Sequence, residues 1–263
     1  MRSWSVSSIR SFHACQLAWW FRRTGVPPEF TPVALVEGIV LHEALAHHLR
    51  GVRDGAVPDR GDTHELMEAS WFVEESAVPI RYGRLDRATS LERLRRLFDH
   101  WFDVEPLRGE VLGVEVAVRA EFPGIELPLL GYADLVIRRE DGIHVIDFKV
   151  TATKPSPDAV LDPLDLQKLA LTRGLEIAGG EPVTGWAWQH LVKTKEPQVV
   201  DNAVRVTAES READLRRLGC VVPATLLAMR EVTEEGRLPI PTQAAVTMCG
   251  SCAYRPACSG WTA

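Results

Sequence analysis

Three neighbouring stretches of the chain alternate apolar and polar residues, and this pattern constrains the fold more than any other feature of the sequence. The stretches are EVLGVEVAVRAEF, LLGYADLVIRRE and GIHVIDFKV, and they lie within residues 110–150. Alternation with a period of two predicts β-strands. The dipeptides Pro123-Gly124 and Asp141-Gly142 separate the stretches, and Asp-Gly is a strong hairpin signal. We therefore expect three neighbouring antiparallel strands.

Helical patterns fill most of the sequence before these strands. Two helices are predicted over Ser8–Arg23 and Ala34–Leu49, because three prolines interrupt the pattern between them. An amphipathic helical pattern then runs from about Asp62 to Phe102. Its apolar residues recur on one helix face and include Leu91, Leu94, Leu97, Phe98 and Trp101.

After the three strands, the sequence predicts a helix from about Asp162 to Ala178, two further strands in GWAWQHLVKT and PQVVDNAVRVT, and a helix from Ala208 to about Glu234. A length of 263 residues is enough for one large domain or two small ones. We expect one domain over residues 1–263. It would comprise a helical region (about 1–105), an α/β core (about 106–207) and a C-terminal helix with a cysteine-bearing tail (about 208–263).

Composition restricts the compartment and the partners. The net charge is -6, so a nucleic-acid partner would have to be attracted by a local arginine-rich groove or a bound metal. No apolar run approaches the roughly 18 residues of a membrane span, and charged residues interrupt the N-terminus, so we expect a cytoplasmic protein with no membrane partner. In a reducing compartment, the five cysteines would serve as buried thiols, metal ligands or catalytic groups.

Lys149 is an unusual residue, because the chain contains only five lysines and none of them precedes it. On a strand, Asp147 and Lys149 share a face while Phe148 turns into the core. A cross-strand charge pair is one interpretation. A hairpin at Asp141-Gly142 would also bring Asp134 beside Asp147, and two carboxylates with an ammonium suit a Mg²⁺ site that activates water. Arginine could not replace the lysine in such a role, because its proton is not removable.

Two further polar residues are weaker candidates. In GIVLH, Gly38 and His42 lie one helical turn apart. A lone histidine on an apolar helix is usually a packed or surface residue, so only context favours His42. Glu115, in GVEVAV, fits the polar face of a half-buried strand equally well, although in register it could reach the same site as the two aspartates.

As a set, these residues resemble the RecB-like branch of the PD-(D/E)XK nucleases. The matching motifs, in chain order, are Gly38-x-x-x-His42, Glu115, Gly131-Tyr-Ala-Asp134, Asp147-Phe-Lys149 and Gln167. The resemblance implies a mixed α/β fold with a restriction-endonuclease-like core, in which helices flank a central mixed sheet.

The same resemblance implies roles for individual residues. The Mg²⁺ or Mn²⁺ ligands that it implies are His42, Asp134, Asp147 and the main-chain carbonyl of Phe148. Lys149 would serve the water nucleophile, and Glu115 and Gln167 would complete the catalytic set. The family's usual helix pattern is Gln-x-x-x-Tyr, whereas Leu171 stands in the tyrosine's place here. That departure puts the helix's substrate contact in doubt.

The cysteines form a separate motif. Cys249, Cys252 and Cys258 are spaced C-x2-C-x5-C near the end of the chain, and Cys15 lies in the first predicted helix. Four thiolates hold either zinc or a 4Fe-4S cluster, and the tail spacing alone favours neither. One early and three late cysteines resemble the iron-sulfur staple of RecB-like nucleases, which implies a 4Fe-4S cluster joining the N- and C-terminal parts. Cys220 is expected to be a buried thiol.

The function implied is a metal-dependent DNA exonuclease of recombination, repair or CRISPR adaptation. The alternative is a non-catalytic DNA-binding or scaffold protein that retains the nuclease fold. The DNA partner would be single-stranded or an end-bearing duplex, with Arg138, Arg139 and Lys154 as candidate phosphate contacts. No G-x-x-x-x-G-K-[ST] phosphate loop is present, so unwinding would have to come from a partner. A helicase or a CRISPR integration protein is the kind of partner that the resemblance implies.

Overall fold

The computed structural model describes residues 2–104, 108–156, 166–240 and 249–259. In chain order its elements are α1 (Val6–Ala14), α2 (Gln16–Arg23), β1 (Thr31–Pro32), α3 (Val33–Asp54), α4 (Arg60–Ala77), β2 (Ile80–Arg81), α5 (Arg87–Val104), β3 (Glu110–Ala120), β4 (Leu129–Arg139), β5 (Gly142–Thr151), α6 (Leu166–Gly179), β6 (Val183–Val192), β7 (Gln198–Arg205), α7 (Ala208–Thr233) and α8 (Arg255–Ser259). None of the described helices is long and apolar enough to cross a membrane.

The main sheet has five strands in the order β3-β4-β5-β6-β7. The three predicted neighbouring strands are antiparallel, as expected, and β5 pairs with β6 in parallel. Parallel neighbours need a long connection, and the segment between β5 and β6 contains α6. The fold is therefore mixed α/β with a central mixed sheet between helices, consistent with the expected restriction-endonuclease-like core.

Each face of the sheet carries its own apolar core. On β5, Val145 belongs to one core and the next residue, Ile146, to the other, because successive side chains of a strand point to opposite faces. The first core, here called the α6 core, packs α1, α6 and α7 on the sheet; it includes Ile9, Phe12, Leu169, Val222 and Met229. The second, the α3 core, packs α3, α4 and α5; it includes Val40, Leu45, Trp71, Leu94 and Phe98.

Two helical predictions were wrong in their continuity. The helix predicted over Ser8–Arg23 is broken at Cys15, whose backbone is extended with φ -163° and ψ 112°. The pattern from Asp62 to Phe102 forms two helices, with β2 between them. The second break has a local cause, because Val78 precedes a proline and proline disfavours helical geometry in the preceding residue.

The later elements agree with the sequence. The predicted C-terminal helix is α7, which begins after a capping box formed by Thr207 and Ser210. The helix expected from about Asp162 is described from Leu166 onward, and its predicted first residues lie outside the described part of the chain.

Candidate active site

The β4–β5 hairpin brings the two predicted carboxylates to adjacent strands, with Leu135 paired to Ile146 between them. Asp134 Oδ2 accepts a hydrogen bond from the backbone N–H of Phe148 at 2.8 Å. The same oxygen lies 3.5 Å from His42 Nδ1 on α3. Asp134 is therefore held between a helix and the neighbouring strand.

His42, Glu115 and Asp134 form a compact group of possible metal ligands. One ligand atom from each lies within 4.8 Å of the other two, and no other such group of three occurs among the described residues. Two carboxylates and an imidazole suit Mn²⁺ well, and the carboxylate oxygens suit Mg²⁺. The residues present thus fit the divalent cation that the sequence implied, although this group contains Glu115 and not Asp147.

A change of strand face places Glu115 in this group. On a regular strand Val114, Val116 and Val118 would share a face, yet Val114 packs in the α3 core and Val116 and Val118 pack in the α6 core. Between them Glu115 has a φ of 50°, in the left-handed region that non-glycine residues rarely adopt. Since this twist reverses the alternation, the Glu115 carboxylate faces His42.

The second group of predicted residues lies on the side of β5 that faces α6. Lys149 Nζ is 2.6 Å from Asp147 Oδ2, and Asp147 is only 2% exposed. Gln167 joins the pair, because its Oε1 accepts from Lys149 Nζ at 3.0 Å and its Nε2 donates to Asp147 Oδ1 at 2.5 Å. The Asp147, Lys149 and Gln167 side chains are therefore locked in one hydrogen-bonded set.

The two groups interact electrostatically across the backbone of Phe148. Burial lowers the pKa of His42, and the charge of Lys149 lowers it further, against the opposing effects of Asp134 and a hydrogen bond with the Phe148 backbone. A neutral imidazole is the form that binds a metal. Burial, with the charge of Asp134, raises the pKa of Glu115. The shift of Glu115 reflects burial and the crowding of two acids, and a bound cation would favour the ionised forms of both carboxylates.

An open cleft leads to the His42 group. It has a volume of about 980 Å³ and lies between α3 and the strands that carry Glu115 and Asp134. Ligand sites of small molecules commonly have volumes up to about this size. From α3 the cleft is lined by Ala34, Leu35, Gly38, Ile39, His42, Glu43, Ala46, His47 and Arg50, and from elsewhere by Leu66, Glu115, Tyr132 and Asp134.

Leu171, which replaces the family tyrosine, is a core residue. It is buried in the α6 core, and a Cβ added at Gly131 would lie 2.9 Å from Leu171 Cδ2. Gly131 therefore allows α6 to pack closely on β4. No substrate contact is available from position 171 in this packing.

The structure gives positions for several basic residues that the sequence alone did not predict. Arg138, a predicted phosphate contact, is ion-paired with Glu181 at 3.0 Å, and neither Arg138 nor Arg139 lines the cleft. Sequence reasoning missed Arg10, whose Nη1 donates to Gln167 Oε1 at 3.3 Å. It also missed His190, which is paired with Lys149 across the parallel strands. No sequence signal marked either residue.

The four cysteines of the predicted staple come together at the break between α1 and α2. Cys15, Cys249 and Cys252 line a cavity of about 360 Å³. Burial raises the pKa of the Cys258 thiol, and its proximity to the other three cysteines raises it further. Cys220, in contrast, is exposed on α7, so the prediction of a buried thiol there was wrong.

The tail that carries these cysteines is attached to the N-terminal helices by separate contacts. The backbone N–H of Glu29 donates to the carbonyl of Ala253 at 2.9 Å. The rings of Phe21 and Tyr254 lie 5.9 Å apart between centroids. These packing contacts therefore hold the three late cysteines near Cys15 independently of any bond between the thiols.

Comparison with known proteins identifies the family. A crystal structure of a candidate exonuclease from Eubacterium rectale superposes with a TM-score of 0.58 at 12% identity, covering 93% of this chain and 85% of that chain, which shows a similar fold. The crystal structure of SSO0001 has 13% identity and covers 87% and 85% of the two chains, but its TM-score is only 0.34. No curated protein matches significantly. The model of the PD-(D/E)XK nuclease superfamily matches residues 3–259, and the chain belongs to that superfamily.

Proposed function

We propose that this protein is a metal-dependent DNA exonuclease of the RecB-like branch. The observation that carries the proposal is the convergence of His42, Glu115 and Asp134 beside the hydrogen-bonded pair of Asp147 and Lys149. Two carboxylates and a histidine in one site can bind a divalent cation. A lysine beside them can help to deprotonate the water that attacks the phosphate. The structural relative described as a candidate exonuclease is consistent with this assignment.

In the proposed mechanism, the metal ligands are His42, Asp134, Asp147 and the main-chain carbonyl of Phe148, with Glu115 as a further ligand. When bound there, Mg²⁺ or Mn²⁺ would polarise the scissile phosphate and lower the pKa of a water molecule. Asp134 is already oriented for its role, because the N–H of Phe148 fixes one of its oxygens. Pre-oriented ligands reduce the rearrangement needed on binding.

Lys149 would orient the attacking water and help to deprotonate it. Its Nζ is held between Asp147 Oδ2 and Gln167 Oε1. Gln167 holds both side chains in position, because its amide group donates a hydrogen bond to Asp147 and accepts one from Lys149. Lysine suits this role because its three donors rotate freely, whereas the planar arginine fork cannot release its proton.

We also propose that Cys15, Cys249, Cys252 and Cys258 bind a 4Fe-4S cluster. Burial and the proximity of the other three cysteines both raise the pKa of the Cys258 thiol, so the four thiols lie near one another. Four thiolates can hold either zinc or a cluster. The proposal of a cluster rests on the order of one early and three late cysteines, which resembles the iron-sulfur staple of RecB-like nucleases.

Metal analysis tests the cluster. Protein made anaerobically with iron and sulfide should be brown and contain about four irons per chain. Cys252→Ser should lose iron and unfold at a lower temperature. The reason is that the cluster would link Cys15 to the three late cysteines and so close a loop that contains most of the chain. Cys220→Ser is the matched control and should change neither, since Cys220 is exposed on α7 away from the other thiols. Zinc without iron in the anaerobic protein would contradict the cluster.

Digestion of end-labelled DNA tests the activity. Single- and double-stranded substrates should be shortened from an end in the presence of Mg²⁺ or Mn²⁺, and the label at each end in turn would give the polarity. A circular single strand should resist, because an exonuclease needs a free end. Asp134→Asn should remove the activity without unfolding the protein. DNA binding without any cleavage by wild-type protein would favour the alternative, a non-catalytic scaffold that retains the fold.

We further propose that residues 1–263 act as one intracellular nuclease domain in recombination, repair or CRISPR adaptation. The family match spans residues 3–259, so one family unit accounts for nearly the whole chain. Since the sequence has no nucleotide-binding phosphate loop, a helicase or a CRISPR integration protein would supply the DNA ends. Copurification of a helicase with the tagged chain would support that partner.

A further inference from the structure

Part of one sheet face, on β3 and β4, is exposed. On β3 and β4, the residues Ala117, Arg119, Leu130 and Tyr132 are exposed, and we call these four the open face. Strand pairing places Ala117 beside Tyr132 and Arg119 beside Leu130. Their neighbours along the strands, such as Val118 and Leu129, are fully buried in the α6 core. The open face is thus an exposed part of the sheet face that packs against α3, whereas the opposite face of the same two strands is buried.

The open face continues directly from the candidate metal group. Tyr132 lies two residues before Asp134 on β4, so the two side chains are about 7 Å apart along the same face. Both line the cleft that contains His42 and Glu115. A polymer bound at the metal group would therefore pass over Tyr132.

No contact within the described chain gives Tyr132 or Arg119 a structural role. Tyr132 is 56% exposed, and neither residue makes a hydrogen bond, ion pair or ring contact within the described chain. A large aromatic ring exposed beside a functional site commonly marks a binding surface. Arg119 lies on β3, two residues from the strand partner of Tyr132, and adds an unpaired positive charge to the same sheet face.

The opposite wall of the cleft leaves room for a flat group. Leu35, on the first turn of α3, is 53% exposed and also lines the cleft. One turn further along, Gly38 has open space where a Cβ would stand. The cleft wall opposite Tyr132 is therefore apolar at Leu35 and has open space at Gly38.

We propose that the open face binds an unpaired DNA strand, with Tyr132 stacked on a nucleobase next to the scissile phosphate and Arg119 on the backbone. Aromatic rings stack on unpaired bases of any sequence, whereas the faces of paired bases in a duplex are already covered by their neighbours. This inference rests on the proposed nuclease function and adds to it a base-stacking site on β3 and β4 beside the metal group.

Equilibrium binding tests the inference without hydrolysis. The affinity for a fluorescent oligothymidylate and for a closed-ended hairpin duplex is measured by anisotropy with Ca²⁺ in place of Mg²⁺. Tyr132→Ala should weaken binding of the single strand by roughly 5- to 100-fold, the range measured for the loss of one base stack. Tyr132→Phe keeps the ring and should bind within about twofold of wild type by the same reasoning. Affinity for the duplex should change little.

Matched controls separate stacking from general effects. Phe72 on α4 is 62% exposed and does not line the cleft, so Phe72→Ala should bind like wild type. Arg119→Ala should reduce the slope of log affinity against log salt by about 0.7, the value for one phosphate contact on a single strand. Arg216→Ala, which removes an exposed arginine of α7, should leave that slope unchanged.

Three results would overturn the inference. They are unchanged oligothymidylate binding in Tyr132→Ala, an equal loss of duplex binding in that variant, and no binding of oligothymidylate by wild type. Because binding is measured without cleavage, these results are independent of the nuclease assay. A protein that binds single strands through Tyr132 but never cleaves them would refute the proposed activity and support the binding site.

Discussion

Arg10 Nη1 donates a hydrogen bond to Gln167 Oε1 at 3.3 Å, although 157 residues separate the two in sequence. Lys149 donates to the same oxygen. With two cationic donors on its oxygen, the Gln167 amide must present its nitrogen to Asp147, as it does. Helix α1, which ends one residue before Cys15, therefore contributes to the arrangement of the candidate active site.

We expect Arg10→Ala to lower the rate of DNA cleavage by about 2- to 10-fold, the effect of losing one hydrogen bond of ordinary strength. The effect should be on turnover more than on the Michaelis constant, because Arg10 acts through the position of Gln167. In a Gln167→Ala background the same substitution should have no further effect. Additive losses in this double-mutant cycle would show that Arg10 acts independently.

Asp147→Asn should abolish cleavage while leaving the protein folded. The aspartate is buried, but its partner Lys149 is about one third exposed and can turn to solvent when the acid is removed. Lys149→Arg should also be inactive, for the reasons of shape and proton release given above. Asp141→Asn, at the turn of the same hairpin, is the control and should cleave normally. Circular dichroism and the cleavage assay together distinguish loss of chemistry from loss of fold.

Gly38→Ala should stabilise the protein by about 0.5 to 1 kcal/mol, because alanine favours a helix interior over glycine and a Cβ at this position meets no atom within 4 Å. Gly51→Ala in the same helix should destabilise it, since the added Cβ would lie 2.3 Å from Pro58 Cδ. Chemical denaturation measures both. A destabilised Gly38→Ala would mean that α3 does not pass the cleft as described.

The stability of the fold should decrease as the pH falls below about 6.5, the ordinary pKa of histidine. Burial among Phe98, Trp101 and Phe102, together with the charge of His47, lowers the pKa of His48 in the folded protein. The unfolded chain then binds the proton first, so stability is complete above its pKa and is lost below it. His48→Leu should flatten this dependence in urea melts at pH 5 to 8. An unchanged slope would exclude His48 as its source.

The β4–β5 hairpin could be predicted from the sequence because its signals are local. Alternation of side chains and the Asp141-Gly142 turn suffice to bring Asp134 and Asp147 to adjacent strands. The contact of Arg10 with Gln167 depends on how α1 packs against α6, which no local pattern encodes. The same holds for Cys220, since apolar neighbours in the sequence did not reveal which face of α7 is exposed.

The left-handed backbone conformation of Glu115 affects which amino acids selection would favour at this position. Such a conformation costs on the order of 1 to 3 kcal/mol in a non-glycine residue, and glycine adopts it without strain. Heat resistance and chemistry therefore favour different residues at this position. A library sorted only for thermal survival should enrich glycine at 115, whereas one sorted for DNA cleavage should return glutamate. Laboratory selection for stability alone would therefore remove the carboxylate of Glu115, at the point where β3 changes face, before the other proposed metal ligands.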